Sequence, residues 1–222
     1  MKLYGYWRSL ATFRVRVALA LKGLTLDSPE IGLDLLKGQQ FDEGYRKLNP
    51  QAVVPALVLK DGGAPLFQSM AILEYLEETH PKPALLPADA RGRARVRGLC
   101  QICVSDGHPF IVPRVRGYLV KTLGQDTVAV ERWVAHWSLA ALEAVEAHLA
   151  REPETGRYCH GDAPTLADAC VASQVIAAKD YARCDVSGVP TVMRIYAECM
   201  KTPAFAQSHP TRQPGAPADL RA

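Results

Sequence analysis

The run His80-Pro81-Lys82-Pro83 divides this chain into two stretches of different pattern, and that division constrains the fold more than any other feature. Two prolines in four residues stop a helix and hold the chain extended. Before the break the pattern alternates. Lys2 to Tyr6 reads as a strand and Phe13 to Lys22 as a helix stopped by Gly23. Leu26 to Leu33 reads as a second strand, and Gln39 to Lys47 as a short helix ended by Asn49-Pro50. Val53 to Leu59 reads as a strand with Pro55 near its start. Lys60 to Gly63 makes a hairpin turn, and Ala64 to Phe67 is the return strand. Ser69 to Glu78 reads as a helix with Ser69 as its N-cap. The order is β-α-β-α-β-β-α.

After the break everything reads as helix. Val130, Val134, Trp137, Ala141, Val145 and Leu149 recur at steps of three and four, which makes one buried face. Thr165 and Asp168 have the spacing of a capping box, a structural element. Val189 to Met200 is a last helix, and the tail from His209 reads as irregular surface chain. The expected domains are therefore residues 1–80, mixed α/β, and residues 88–222, all-helical, with the boundary near 80–88.

Composition excludes several classes. The 222 residues are enough for one large domain or two small ones, and 48% are hydrophobic, so a core can form. A net charge of +3 is too small to argue for nucleic acid. Arg91, Arg93, Arg95 and Arg97 spread over more than one helix face and lack interleaved aromatics. No apolar run reaches the length of roughly 18 residues that a membrane span needs. The start shows no signal-peptide apolar region, and six scattered cysteines fit no disulfide framework. A cytoplasmic protein with reduced thiols is expected. Cys100 and Cys103 form a CxxC inside a helical stretch, where core thiols are the expectation; no second pair completes a metal site.

Three segments of the first stretch carry chemistry together. Ser9 and Thr12 lie at a strand-to-helix turn, where hydroxyls and free N–H groups meet the positive end of a helix. Arg8 stands beside them and favours an acidic ligand. Val54, just before Pro55, can offer its backbone to an extended peptide, the more so if the bond is cis. Gln68 and Ser69 open a helix and can hold a carboxylate. Each hydroxyl alone also fits a plain helix cap. A ligand with a thiol, a peptide-like middle and an α-amino carboxylate satisfies all three, and glutathione is such a ligand.

Six ordered stretches resemble the zeta-class glutathione transferases, the maleylacetoacetate isomerase family. They are WRSLATFRVRVALALKG, GQQF, LNPQAVVPAL, QSMAILEYLEETHPKPALLP, GDAPTLADACVASQV and HPTRQPGAPADLRA, and they cover nearly the whole chain. The resemblance implies a thioredoxin-like α/β N-terminal domain plus an all-α C-terminal domain, glutathione as cofactor, a small dicarboxylate substrate and a homodimer. It places the catalytic serine on Ser9 and glutathione contacts on Gln40, Val54, Gln68 and Ser69. Pro55 is expected to be cis. Thr12 keeps the last hydroxyl of the family's Ser-Ser-Cys-Ser, which reads Ser9-Leu10-Ala11-Thr12 here. His108 and Arg114 resemble the maleylpyruvate isomerase branch, where the matching residues contact glutathione or substrate. Arg8 and Arg114 are the expected substrate cations. A family arginine aligns with Asp180, reversing a charge in a segment one residue longer here; Lys179 and Arg183 are the candidate replacements. The implied activity is glutathione-dependent cis–trans isomerisation of maleylacetoacetate. Maleylpyruvate isomerisation, general transferase or dehalogenase activity, and a purely binding scaffold are the alternatives.

Overall fold

Strand β1 (Lys2–Gly5) is the second strand of a four-stranded sheet ordered β2-β1-β3-β4, with β2 at Ile31–Gly32, β3 at Ala56–Val58 and β4 at Leu66–Phe67. The structure is a computed structural model and describes residues 1–220. β2 runs parallel to β1, with Tyr4 opposite Ile31. β3 is antiparallel to β1, pairing Tyr4 with Ala56, and β4 is antiparallel to β3, pairing Ala56 with Phe67. Leu3 and Leu57 are buried beneath the sheet. Gly5 is required in β1: a Cβ there would lie 2.3 Å from Glu30 Oε1 and 2.5 Å from Thr12 Cγ2.

The strands are shorter than the sequence suggests, for a local reason. Pro29 and Pro55 have no N–H to give a ladder, so β2 begins only at Ile31 and β3 only at Ala56. Helix α1 (Leu10–Leu21) begins three residues earlier than expected because Ser9 caps it. Nine of its 12 residues are buried, so it shows no clean polar face. It stops at Gly23, whose φ of +64° continues the chain in the left-handed region. The expected helix from Gln39 to Lys47 splits into a 3₁₀ turn (Gln39–Phe41) and α2 (Glu43–Leu48), because Asp42 is extended between them. Helix α3 (Ser69–Thr79) is capped by Gln68; Ser69 is its first helical residue and not its cap.

Two units are present: Met1–Ala84 with the segment from Thr202 onward, and Leu85–Lys201. The division falls between 84 and 85, but the tail departs from the expected range 88–222. Its reason is packing. A helix that the sequence pattern does not announce, α10 (Pro203–Ser208), lies against α1. Its Phe205 is fully buried, and burial of such a side chain contributes about 1.5–3 kcal/mol.

The second unit holds α4 (Ala90–Ser105), α5 (His108–Ile111), α6 (Pro113–Lys121), α7 (Thr127–Leu149), α8 (Leu166–Val175) and α9 (Pro190–Met200). All ten residues of α8 are buried, and α4, α7 and α9 pack around it. Its start is the expected capping box. Asp168 accepts from Thr165 N at 2.7 Å, from Thr165 Oγ1 at 2.9 Å and from Cys159 N at 2.8 Å. Ile176–Tyr181 continues α8 as a π-helical turn.

Candidate active site

The register of the sheet gathers the residues of the first unit at one edge. β1 runs out of the sheet at Gly5 toward Ser9, and β3 enters antiparallel to it from Val54. β4 leaves toward Gln68 and Ser69, antiparallel to β3, so Val54 and Ser69 stand at the same end. β2 is parallel to β1 and delivers the chain toward Gln40 from that end too. The ends of β1, β3 and β4 therefore converge, and the topology alone does it.

Ser9 is the N-cap of α1. Its Oγ accepts from Thr12 N at 3.1 Å and its own N–H donates to Tyr6 O at 2.9 Å. A hydroxyl has one hydrogen and two lone pairs. Receiving the Thr12 N–H leaves the Ser9 hydrogen available for an acceptor outside the turn. Thr12 differs from expectation. It is fully buried, with its methyl against Gly5 and its Oγ1 without a partner among the described residues. It acts on Ser9 through its backbone N–H and does not present a hydroxyl at the surface. Arg8 is exposed.

Three residues outside the expected set hold this edge of the sheet. Arg16 donates to both Glu30 oxygens, at 2.6 and 2.7 Å, and to the carbonyls of Tyr6 and Trp7 at 3.1 and 3.4 Å. It thus ties the Ser9 turn to the chain before β2. Tyr45 Oη and Asn49 Nδ2 both donate to Val53 O, at 2.6 and 2.7 Å, and fix the backbone entering Val54. Burial pushes the Tyr45 hydroxyl up to about 12, so it remains a donor.

Val54 is buried and lies outside the β ladder, and the Val54–Pro55 bond is cis, as expected. Gln68 carries φ +65°, a left-handed conformation that costs a non-glycine residue of order 1–3 kcal/mol. Its Nε2 donates to Gln51 Oε1 at 2.8 Å. Ser69 is 5% exposed, and its Oγ accepts from Arg14 Nε at 3.1 Å. Gln40 is half-buried, and its Oε1 is a buried acceptor without a partner among the described residues. In the second unit, half-buried His108 opens α5 and exposed Arg114 is the second residue of α6.

Residues 1–78 match the family described as glutathione S-transferase, N-terminal domain. A maleylpyruvate isomerase of Ralstonia sp is 43% identical over 96% of this chain and 99% of its own length. A maleylacetoacetate isomerase of Pseudomonas aeruginosa is 41% identical over 98% of this chain and 100% of its own. The chain belongs to the zeta-class glutathione transferase family. A solved maleylacetoacetate isomerase of Methylobacterium extorquens AM1, with malonate and glutathione bound, superposes with a TM-score of 0.94 at 44% identity, covering 98% and 100% of the two chains.

Within this glutathione transferase the thiols of the helical unit are core residues. Cys100, Cys103, Cys159, Cys170 and Cys199 are buried and form no disulfide. Contact with Cys170 and burial push the Cys100 thiol up, and burial does so for Cys159. Thiols held protonated in a core are inert. Arg95 of α4 is structural too: it is paired with Glu152 at 2.5 Å and donates to Cys159 O at 2.7 Å. No described helix is long and apolar enough to cross a membrane. Nothing in the spacing of Tyr45 and Asn49 shows where their side chains end, while Arg14 and Arg16 read from sequence as structural salt bridges, which Arg16 forms with Glu30.

Proposed function

We propose that this transferase is a glutathione-dependent cis–trans isomerase whose substrate is maleylacetoacetate. The observation that carries the reading is the Ser9 turn: a hydroxyl with a free hydrogen at the positive end of α1, on the sheet edge that also holds Val54 and Ser69. The position where a dithiol oxidoreductase would carry CxxC reads Ser9-Leu10-Ala11-Thr12. Likeness at 38–44% identity to full-length relatives named as these isomerases supports the same reading.

The donor set fits glutathione. α3's first N–H groups and Ser69 suit the γ-glutamyl carboxylate. The backbone of Val54 suits the cysteinyl amide, and the orphan Gln40 Oε1 is an acceptor for an amide or ammonium donor. When bound, glutathione supplies a thiolate that adds reversibly to an electron-poor cis double bond. Ser9 donates its hydrogen to the sulfur and favours the charged form. Arg8 and Arg114 supply positive charge for the substrate carboxylates and for the enolate oxygen that develops as the double bond opens. His108 is a second contact to the tripeptide or substrate.

A second reading, maleylpyruvate isomerase, is favoured by the Ralstonia relative and by His108-Pro109 with Arg114. Both substrates are carboxylates flanking a cis double bond, so one machinery serves either. A homodimer belongs to the proposal, supported by the exposed Phe41 and Phe67. So does a cytoplasmic location, supported by six cysteines without a disulfide. The deciding experiment incubates the purified protein with each substrate, with and without glutathione, and follows the trans product. Glutathione-dependent turnover of maleylacetoacetate sustains the first reading. Turnover of maleylpyruvate alone sustains the second, and no isomerisation of either overturns both.

A further inference from the structure

We infer that Arg14 is the positioning residue of the glutathione carboxylate subsite, acting through Ser69. The inference rests on the reading of Ser69 as a γ-glutamyl contact and adds a residue to it. Arg14 lies on α1, five residues past the Ser9 cap, and is 2% exposed. Its Nε donates to Ser69 Oγ at 3.1 Å in a fully buried contact between two helices 55 residues apart in sequence. It is therefore not a surface charge whose side chain happens to reach Ser69.

The direction of that bond decides what Ser69 can do. An arginine nitrogen only donates, so Ser69 Oγ must accept. Its single hydrogen is then left for another acceptor, and a hydroxyl already polarised by a cation donates more strongly. Ser69 is also the first residue of the 11-residue helix α3, whose opening N–H groups have no partner within the helix. A carboxylate at this end would meet the helix N–H groups, an oriented hydroxyl and, behind it, a guanidinium kept out of water. A charge in that setting is screened far less than one at the surface. Arg16, two residues on, serves another end: its fork is bound to Glu30 and to the carbonyls below Ser9. The two arginines of α1 thus split the work, Arg16 fixing the thiol end and Arg14 the carboxylate end.

The test compares Arg14→Met with the wild-type protein by calorimetric binding of two ligands. One is glutathione; the other is 4-aminobutanoyl-cysteinylglycine, which lacks only the γ-glutamyl α-carboxylate. Arg14→Met should weaken glutathione roughly tenfold or more, about 1.4 kcal/mol. It should leave the decarboxylated ligand within about twofold, and add little to the loss caused by Ser69→Ala. At saturating glutathione kcat should hold while KM for glutathione rises. Equal weakening of both ligands, or unchanged glutathione affinity, overturns the role of Arg14. If the wild-type protein binds both ligands equally well, it is the assignment of Ser69 that fails instead. Arg14→Lys, which keeps the charge but lacks the Nε donor, should fold more readily and fall between wild type and Arg14→Met in glutathione affinity only.

Discussion

Replacing Ser9 with alanine should produce a loss of activity that disappears as pH rises. The hydroxyl accepts from Thr12 N and has one hydrogen to give to sulfur. A hydrogen bond to a charged group is worth about 1.5–3 kcal/mol, or about 1–2 pKa units of the bound thiol. A free thiol titrates near 8.5, so the wild-type complex should titrate at about 6.5–7.5 and the variant near the free value. At pH 7 the variant would be about 3% thiolate, a loss of roughly 8- to 25-fold. At pH 9 both would be mostly thiolate and the gap should close to less than about twofold. Losing the cap is a separate effect, about 1 kcal/mol and about 2–4 °C of Tm. It does not alter the pH profile. The assay is kcat at saturating glutathione from pH 6.5 to 9, with thiolate absorbance of the binary complex measured in parallel. A loss of constant size across that range, or no loss at all, would refute the reasoning. At pH 7 glutathione affinity should fall by about fourfold at most, the linked cost of the lost pKa shift.

Lys22 is buried with Nζ 2.7 Å from Glu77 and 2.6 Å from the His80 carbonyl; Lys22→Met should cost about 3–5 kcal/mol by breaking this buried ion pair. Thermal melts check this, and a change under about 2 °C refutes it. Asp168→Ala should destabilise by several times the ~1 kcal/mol of an ordinary cap, because buried N–H groups of Cys159 and Thr165 lose their acceptor. The Glu152 carboxyl is held low by His148 and Arg95. Its contribution is therefore fully present above its ordinary value of 4.5 and lost as pH falls through the lower folded value. The Glu152→Gln penalty should accordingly shrink as pH falls below 4.5, as urea melts from pH 7 downward would show. Thiol titration of the native protein should label Cys184 at most, with the five buried thiols reacting only after unfolding.

The fold was legible where local chemistry decided it and obscure where distant packing did. Ser9, Gly23 and the Thr165/Asp168 box set helix ends by bonds within a few residues, and the sequence displays them. Helix α10 has no such signal. Its six residues form because Phe205 is buried as the helix packs on α1, a partner some two hundred positions away in sequence. Gln68 is a similar case. Serine is the better cap by type, yet the left-handed backbone at Gln68 moves the cap back one residue. That leaves Ser69 inside the helix with its hydroxyl facing Arg14. The site was legible as residue types around a ligand, not as the bonds that orient them.

Asp180 shows the opposite difficulty, a residue whose position in sequence misleads. It stands where the family arginine aligns, which reads as a reversed charge. The resemblance implies a segment one residue longer here, and the structure contains a π-helical turn over Ile176–Tyr181. A π turn takes up one extra residue without breaking the helix, and each added residue rotates the downstream chain by about 100°. Side chains on the two sides of the turn are therefore out of phase with an uninterrupted helix. The two cations near it are not equivalent either. Lys179 Nζ lies 5.9 Å from the centre of the Tyr196 ring, which holds it against α9. Arg183 comes after the turn, exposed, with φ +53°. Lys179 is thus engaged on an aromatic face, whereas Arg183 stands exposed beyond the turn.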